Sequence, residues 1–484
     1  MKFPFLLTLF LVACPLAKSK PNVLFLAIDD LNDWIGCLVG HPQVKTPHLD
    51  KLAARGTLFT NAHCQAPVCN PSRTSVMLGL RPSTTGIYSL QPSFKKVPKY
   101  ANHITIPKAF KINGYHTSTM GKIYHGALPK GEFDRAGTRS PLPNRFPNEK
   151  FVNTPQNHRL VDWGIWPPRN SDQLDYKTAD WAVNELSQKP KDPFFMAVGF
   201  FRPHVPLYAS QEWFDQYPEE SLVLPPIRRD DRQDTPRFSW YLHWKLPEPR
   251  LKFLDEKQQL KNKVRSYLAS VSFMDSQVGR VLDALKQSGL EDKTIIVCWS
   301  DHGYHLGEKE ITGKNTLWDP TTRVPLIFAG PGISEGARCG RPTELLDIYP
   351  TLAELCGLKS VPDEIEGLSL VPQLKDAEAA RSRPAMTSHG PGNDSVRTET
   401  HRYIRYADGS EELYDIRKDP HEFKNLASDP KTKKLRKKLA AYLPKNPAKP
   451  VDGSNARLIE RKEDGSVYWQ NSLIEKDAKI PEYE

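Results

Sequence analysis

Two apolar runs in this chain stop on paired polar groups. PNVLFLAIDD ends on Asp29 and Asp30, and KTIIVCWSDHG ends on Asp301 and His302. Adjacent carboxylates at the end of a buried strand repel one another and are costly to desolvate unless a cation or a proton satisfies them. One such pair could merely cap a strand; two in one chain point to a divalent metal. An oxygen-rich donor set favours calcium, and less readily magnesium, over zinc. A histidine among the ligands is the unusual feature. A third element, VCNPSRTSVMLGLRP, places Cys69 ahead of Pro71 and Arg73 where the pattern turns helical. A thiol at a helix N-terminus beside a guanidinium is expected to have a lowered pKa, which suits a nucleophile. The alternative is an inert small hydrophobe.

The elements that must position these groups alternate between strand and helix. Besides the two runs above, FFMAVGFFRPH and VPLIFAGPG read as strands, with helical patterns between them. This alternation predicts an α/β fold: a large mixed, mostly parallel sheet sandwiched by helices. In such sheets chemistry gathers at the carboxyl ends of the strands, which brings Asp29, Asp30, His204, Asp301 and His302 to one edge. From residue 376 the texture changes. VRTETHRYIRYADGSEELYDIRKDP predicts a short antiparallel sheet, and KTKKLRKKLAAYLPK, with Leu435, Leu439 and Leu443 on one face, predicts an amphipathic helix whose basic face is solvated. The expected division is a signal peptide at 1–19, a catalytic domain at 20–375 and a smaller C-terminal subdomain at 376–484. The last stretch gives only a weak hairpin signal at EDGS.

At 484 residues, 38% of them hydrophobic and 26% charged, the chain can bury a large core. Lys2 followed by FPFLLTLFLVA reads as an export signal too short to span a membrane, which places the protein in the periplasm or medium. LVAC allows lipid attachment at Cys14 instead, the one route to a membrane. Seven irregularly spaced cysteines make neither a disulfide framework nor a zinc pattern; Cys339 with Cys356 is one conceivable pair. A net charge of +10 suits an acidic partner. Nucleic acid, a membrane surface or a sulfated glycan would each fit, and charge does not choose among them; the basic helix, read as a solvated face, argues against a nucleic-acid site. Aromatic stretches at 163–213 and 239–244 are candidate sugar subsites.

The spacing Cys69, Pro71, Arg73 followed by TSVMLGLRP resembles the signature of the type I sulfatases, in which C-x-P-S-R is read by a maturation enzyme that oxidises the cysteine to formylglycine. The likeness extends through PNVLFLAIDDLNDWIGCLVG, GLRPSTTGIY, GYHTSTMGKIYH, FFRPHVPLY, SDHGYHLGEKEITGKNTLWDPTTRVPLIFAGPG and ELYDIRKDPHEFKNLA. Within that family it is most similar to the iduronate-2-sulfatase group, which carries Asp-His where many members have Asp-Asn. The resemblance implies an alkaline-phosphatase-like fold. It further implies that Asp29, Asp30, Asp301 and His302 hold calcium together with the modified Cys69, and that Arg73 steadies the formylglycine hydrate. Lys122 and His125 of GKIYH match the sulfate-binding lysine and the histidine beside the formylglycine. His204 and Lys314 match the pair that contacts the ester oxygens.

Sulfate monoesters have a poor alkoxide leaving group and diffuse negative charge, so catalysis needs surrounding cations, a nucleophile and a proton for the departing alcohol. An aldehyde hydrate brings two hydroxyls to one carbon: one attacks sulfur and the other later expels sulfate. His204 or Lys314 protonates the sugar oxygen, and His125 is the better base for opening the intermediate. Each group also has a structural alternative: His204 as a loop residue, Lys122 and Lys314 as solvated lysines. Tyr304 and His305 could touch sugar or only shape their loop, His389 could line the pocket, and His103, His116 and His401 are read as structural. The main expectation is an exported sulfatase acting on a sulfated saccharide. The alternative enzyme is a phosphatase or phosphonate hydrolase on the same scaffold, with two metals held by extra histidines as the mark of a phosphatase; a catalytically silent glycan-binding relative would have lost Cys69, Lys122 or His125.

Overall fold

The computed structural model describes residues 20–138 and 146–481; the expected signal peptide and Cys14 lie outside them. Eight strands form the main sheet: β1 (Asn22–Asp29), β2 (Gly56–Phe59), β3 (His116–Gly121), β4 (Arg135–Ala136), β5 (Phe194–Pro203), β6 (Thr294–Ser300), β7 (Leu326–Ala329) and β8 (Ala337–Cys339). Their order across the sheet is β8-β2-β7-β6-β1-β5-β3-β4. Every neighbouring pair is parallel except the two made by β7, the strand read from VPLIFAGPG.

The central strands are apolar throughout because both faces of the sheet are covered. Along β1, Leu24, Leu26 and Ile28 enter one core, shared with the long helix Leu260–Gln287, while Val23, Phe25 and Ala27 enter the other, shared with Val76, Met77 and Leu78 of the helix that Cys69 begins. The helix carrying Cys69 and the sheet edge are therefore fixed to one another by a shared core. Adjacent residues of a regular strand point to opposite faces. Asp29 and Asp30 escape this because the β1–β5 register shifts between Ile28 and Asp29, and Asp30 adopts a left-handed backbone with φ of 61°.

Residues 385–415 form a four-stranded antiparallel sheet, as expected. The basic helix, Lys433–Ala440, leads into Leu443; Leu439 and Leu443 pack on Val396, Tyr403 and Leu413, and its lysines are exposed. The tail exceeds its weak signal: Ile459–Arg461, Val467–Trp469 and Ser472–Ile474 make a three-stranded sheet. Its apolar side shares a core with Phe238, Tyr241 and Trp244. Tyr241 and Trp244 are thus core residues with Trp240 half-buried against them, which corrects their assignment to a sugar subsite; in the 163–213 stretch Trp163 is fully buried, whereas Phe201 lines the cavity that holds Cys69. Cys339 and Cys356 are buried free thiols, not a pair. Among the described residues, no helix is long and apolar enough to cross a membrane.

The carboxyl ends of β3 and β5 approach closely. A Cβ on Gly199 would lie 2.3 Å from the Lys122 backbone carbonyl, and the Lys122 amide donates to the Gly199 oxygen at 2.9 Å. Gly199→Ala should therefore cost about 2–3 kcal/mol, the upper range for overpacking, read as a lower urea midpoint. An unchanged midpoint would mean that the two strand ends part freely.

Candidate active site

Cys69 occupies the first turn of its helix, whose residues from Cys69 to Leu78 are all buried. Its Sγ lies 3.2 Å from His302 Nε2, 3.3 Å from Lys314 Nζ and 4.0 Å from Asp30 Oδ1. One turn along, Arg73 joins the two acidic strand ends: Nη2 donates to Asp29 Oδ1 at 3.1 Å and Nε to Asp301 Oδ2 at 2.7 Å. Its Nη1 donates to the carbonyls of Lys122 and Ile123. Lys122 pairs with Asp29, and Lys314 Nζ pairs with Asp30 at 2.7 and 3.0 Å. Neither lysine is the solvated surface group that lysines usually are; both are buried.

The remaining groups complete the cluster. His302 donates through Nδ1 to the Gly303 carbonyl, which leaves Nε2 as an acceptor 3.4 Å from Asp30 Oδ1 and 3.8 Å from Asp301 Oδ2. His204 donates through Nδ1 to the Val205 carbonyl at 2.8 Å, with Nε2 4.0 Å from Asp30 Oδ2. His125, partly buried, lines the same cavity as Cys69, Lys122, His204 and Lys314, a space of about 670 Å³. The structure thus brings together all ten residues singled out in the sequence.

The electrostatics of the cluster are decided by burial. Burial pushes the Cys69 thiol up, and Lys122 and Lys314 only partly oppose it. This corrects the expected lowering by the helix terminus and Arg73: desolvation of a fully enclosed thiolate outweighs both. Burial would also raise Asp29, but Lys122, His204, Arg73 and Lys314 hold it well below the carboxylate range. Asp30 is different. Burial drives it up to about 7 despite Lys314 and His302, with Cys69 and Asp29 pushing the same way. Burial and the nearby lysines push His125 down to about 4, and His204 well below the usual imidazole value.

Donor atoms of Asp29, Asp30, Cys69 and His302 lie within 4.8 Å of one another, all buried. A raised Asp30 in that set is a carboxylate whose charge the protein alone does not balance, which fits a cation held there.

Of three lesser assignments, Tyr304 and His305 resolve to the structural alternative and His389 is corrected. Tyr304 is fully buried, stacked on Tyr267, and accepts from Asn32 through its carbonyl. His305 meets Thr316 Oγ1 at 2.8 Å in the interior. His389 contacts the Leu242 carbonyl and Asn315, not the cavity. All three shape loops. His103 binds the Leu78 carbonyl, a structural role as expected. Missed by sequence reasoning are the cavity residues Lys245, Glu248, Arg457 and Gln470; the first two directly follow the aromatic stretch, which was the one available signal.

A model of the Sulfatase family matches residues 21–358. The chain belongs to the sulfatase family. A second family model, N-sulphoglucosamine sulphohydrolase, C-terminal, matches residues 307–449 of this sulfatase. It is 42% identical over 468 residues to a "Sulfatase" of Formosa agariphila, covering 93% of this chain and 92% of that one. It is 33% identical to the iduronate 2-sulfatase of Homo sapiens, covering 70% of each chain, and 30% identical to the Delta 4,5-hexuronate-2-O-sulfatase of Bacteroides thetaiotaomicron, covering 87% of each. Among solved structures, a 2-O GAG sulfatase superposes with a TM-score of 0.69 at 27% identity, over 87% of this chain and 91% of that one. This sulfatase is a sulfuric ester hydrolase with the alkaline-phosphatase-like fold.

Removing the guanidinium would take from buried Asp301 its arginine partner and leave Asp29 to Lys122 alone. Arg73→Met should destabilise the protein by about 3–5 kcal/mol, the cost of breaking a buried pair from one side, measured by urea unfolding at pH 7. A loss under about 1 kcal/mol would mean that Asp301 finds another partner.

Proposed function

We propose that this protein is an exported sulfatase that removes sulfate from a sulfated saccharide, iduronate-2-sulfatase-like in its active site. The observation that carries this reading is the convergence of Cys69 with Lys122, His125, His204 and Lys314 on one cavity, in a chain of this family. Oxidised to formylglycine by a maturation enzyme, Cys69 would supply a hydrate with one hydroxyl to attack sulfur and another to release sulfate. Asp29, Asp30, Asp301, His302 and the modified Cys69 would hold calcium, which when bound supplies Lewis-acid stabilisation of the ester oxygens.

The chain's own residues divide the rest of the work. Lys122 and Lys314 place positive charge where the ester oxygens must sit, in a site whose cations are already oriented by carboxylates. Lys314 keeps its proton, because Asp30, Cys69 and Asp29 outweigh the burial that would strip it. His204 already spends its Nδ1 hydrogen on the Val205 carbonyl. Of the two candidates, Lys314 is therefore the donor to the leaving sugar oxygen, and His204 accepts a hydrogen bond through Nε2. His125, pushed down to about 4, is neutral at pH 7 and free to accept a proton as base.

The similarity to hexuronate 2-O- and iduronate 2-sulfatases supports a uronate-containing saccharide, and the +10 net charge would draw in such a polyanion. Among the described residues, the one metal-donor cluster found is the group around Asp30, so the second set that a phosphatase requires has no candidate there.

A panel of 4-nitrophenyl sulfate, 4-nitrophenyl phosphate, a 2-O-sulfated hexuronate disaccharide and glucosamine 2-N,6-O-disulfate tests this reading. Sulfate release should dominate phosphate release. Cys69→Ala should remove it by about 10³-fold or more, as loss of a nucleophile does, while leaving the urea midpoint nearly unchanged. Retained turnover in the variant would mean another nucleophile.

Stripping divalent ions with a chelator should abolish turnover, and calcium should restore it. Full activity after exhaustive chelation would overturn the metal assignment.

A further inference from the structure

We propose that Arg457 is a specificity-determining residue that binds a second anionic group on the sulfated sugar, a ring carboxylate by preference. This rests on the saccharide sulfatase reading above. The cavity has two kinds of cation. Lys122 and Lys314 at its floor are committed to Asp29 and Asp30. Arg457 lines the same cavity from the C-terminal tail, and touches neither aspartate.

Arg457 is held as a presented group. Its Nη1 donates to Asn315 Oδ1 at 3.0 Å, so it is tied to the residue after Lys314. Its Nη2 lies 3.6 Å from Glu248 Oε1. Glu248 is 3% exposed, and neither of its carboxylate oxygens has a hydrogen-bond partner. Burial alone would raise its pKa, yet Arg457 first, then Lys314, hold it below the ordinary value. Glu248 in turn packs on Gly313, where an added Cβ would meet its Cγ at 2.9 Å. The guanidinium and the proposed acid Lys314 are thereby braced by one another's neighbours.

The backbone agrees. Arg457 has φ of 65°, a left-handed conformation that costs a non-glycine residue roughly 1 kcal/mol and gathers at ligand sites. The preceding loop is pinned to the catalytic core, with the Leu90 amide donating to the Ala456 carbonyl at 3.1 Å and the Val451 amide to Gly86 at 3.0 Å. A guanidinium offers five donors in a planar fork, of which the two contacts above use only part. That fork matches a carboxylate in a bidentate pair better than a lysine can. Exposed Lys245 lies on the same cavity and adds to the positive field.

The test is a cycle in protein and substrate. Wild type, Arg457→Ala and Arg457→Lys are assayed on the 2-O-sulfated hexuronate disaccharide, on the same disaccharide with its carboxyl reduced to an alcohol, and on 4-nitrophenyl sulfate. Ratios of kcat/KM between substrates cancel any loss of folded enzyme. Arg457→Ala should lower the ratio of acid to reduced disaccharide by about 30-fold or more, mostly through KM, with Arg457→Lys intermediate. If the second anion is a sulfate, the same loss appears instead between glucosamine 2-N,6-O-disulfate and glucosamine 6-O-sulfate. Ratios unchanged within about threefold in both pairs, with all rates falling together, would reduce Arg457 to a structural partner of Glu248 and overturn the proposal. A wild type that hydrolyses the aryl ester but no sugar would overturn the saccharide reading itself, and the proposal with it.

Discussion

Everything at the site depends on one constraint: three carboxylates, Asp29, Asp30 and Asp301, are fully buried at the ends of two neighbouring strands. Left alone they would repel one another and unfold the sheet edge or take up protons. Arg73 answers for two of them, and Lys122 and Lys314 hold Asp29 and Asp30. On the proposed reading, those cations are oriented before substrate arrives, so no reorganisation is needed when charge develops on the ester. The proposed catalytic geometry and fold stability then share the same contacts. A substitution that weakens one will weaken the other.

Much of this was legible because the fold obeys a strong rule: strands buried on both faces read as continuous apolar runs, and the charges that end them sit at the sheet's carboxyl edge. NVLFLAID and TIIVCWS are such runs, and they placed Asp29 and Asp301 correctly. What the pattern could not contain was the register shift after Ile28 and the left-handed turn at Asp30, since these arise from packing on β5. It also misjudged Cys69. Helix position and a nearby arginine are visible in sequence, but complete burial is a tertiary property, and it reverses the sign of the thiol's shift.

The far wall of the cavity was the least legible part. Lys245 and Glu248 follow an aromatic stretch whose rings looked like sugar platforms and are in fact core for a small sheet formed by the tail. That tail is polar, its strands are three residues long, and it carries too little periodicity to announce a contact with the catalytic half. Arg457 reaches the cavity only because a hairpin and two backbone hydrogen bonds bring it there.

The burial of Cys69 sharpens its meaning. A thiol with a raised pKa, enclosed between His302 and Lys314, is a poor nucleophile as it stands and is shielded from any enzyme that would alter it after folding. On the proposed reading it is a precursor, oxidised while the chain is still open. The most direct measurement is mass spectrometry of the peptide containing Cys69, from protein purified out of its native host and shown to hydrolyse a sulfate ester. The account predicts an aldehyde or its hydrate at residue 69. An unmodified thiol throughout the active protein would contradict it.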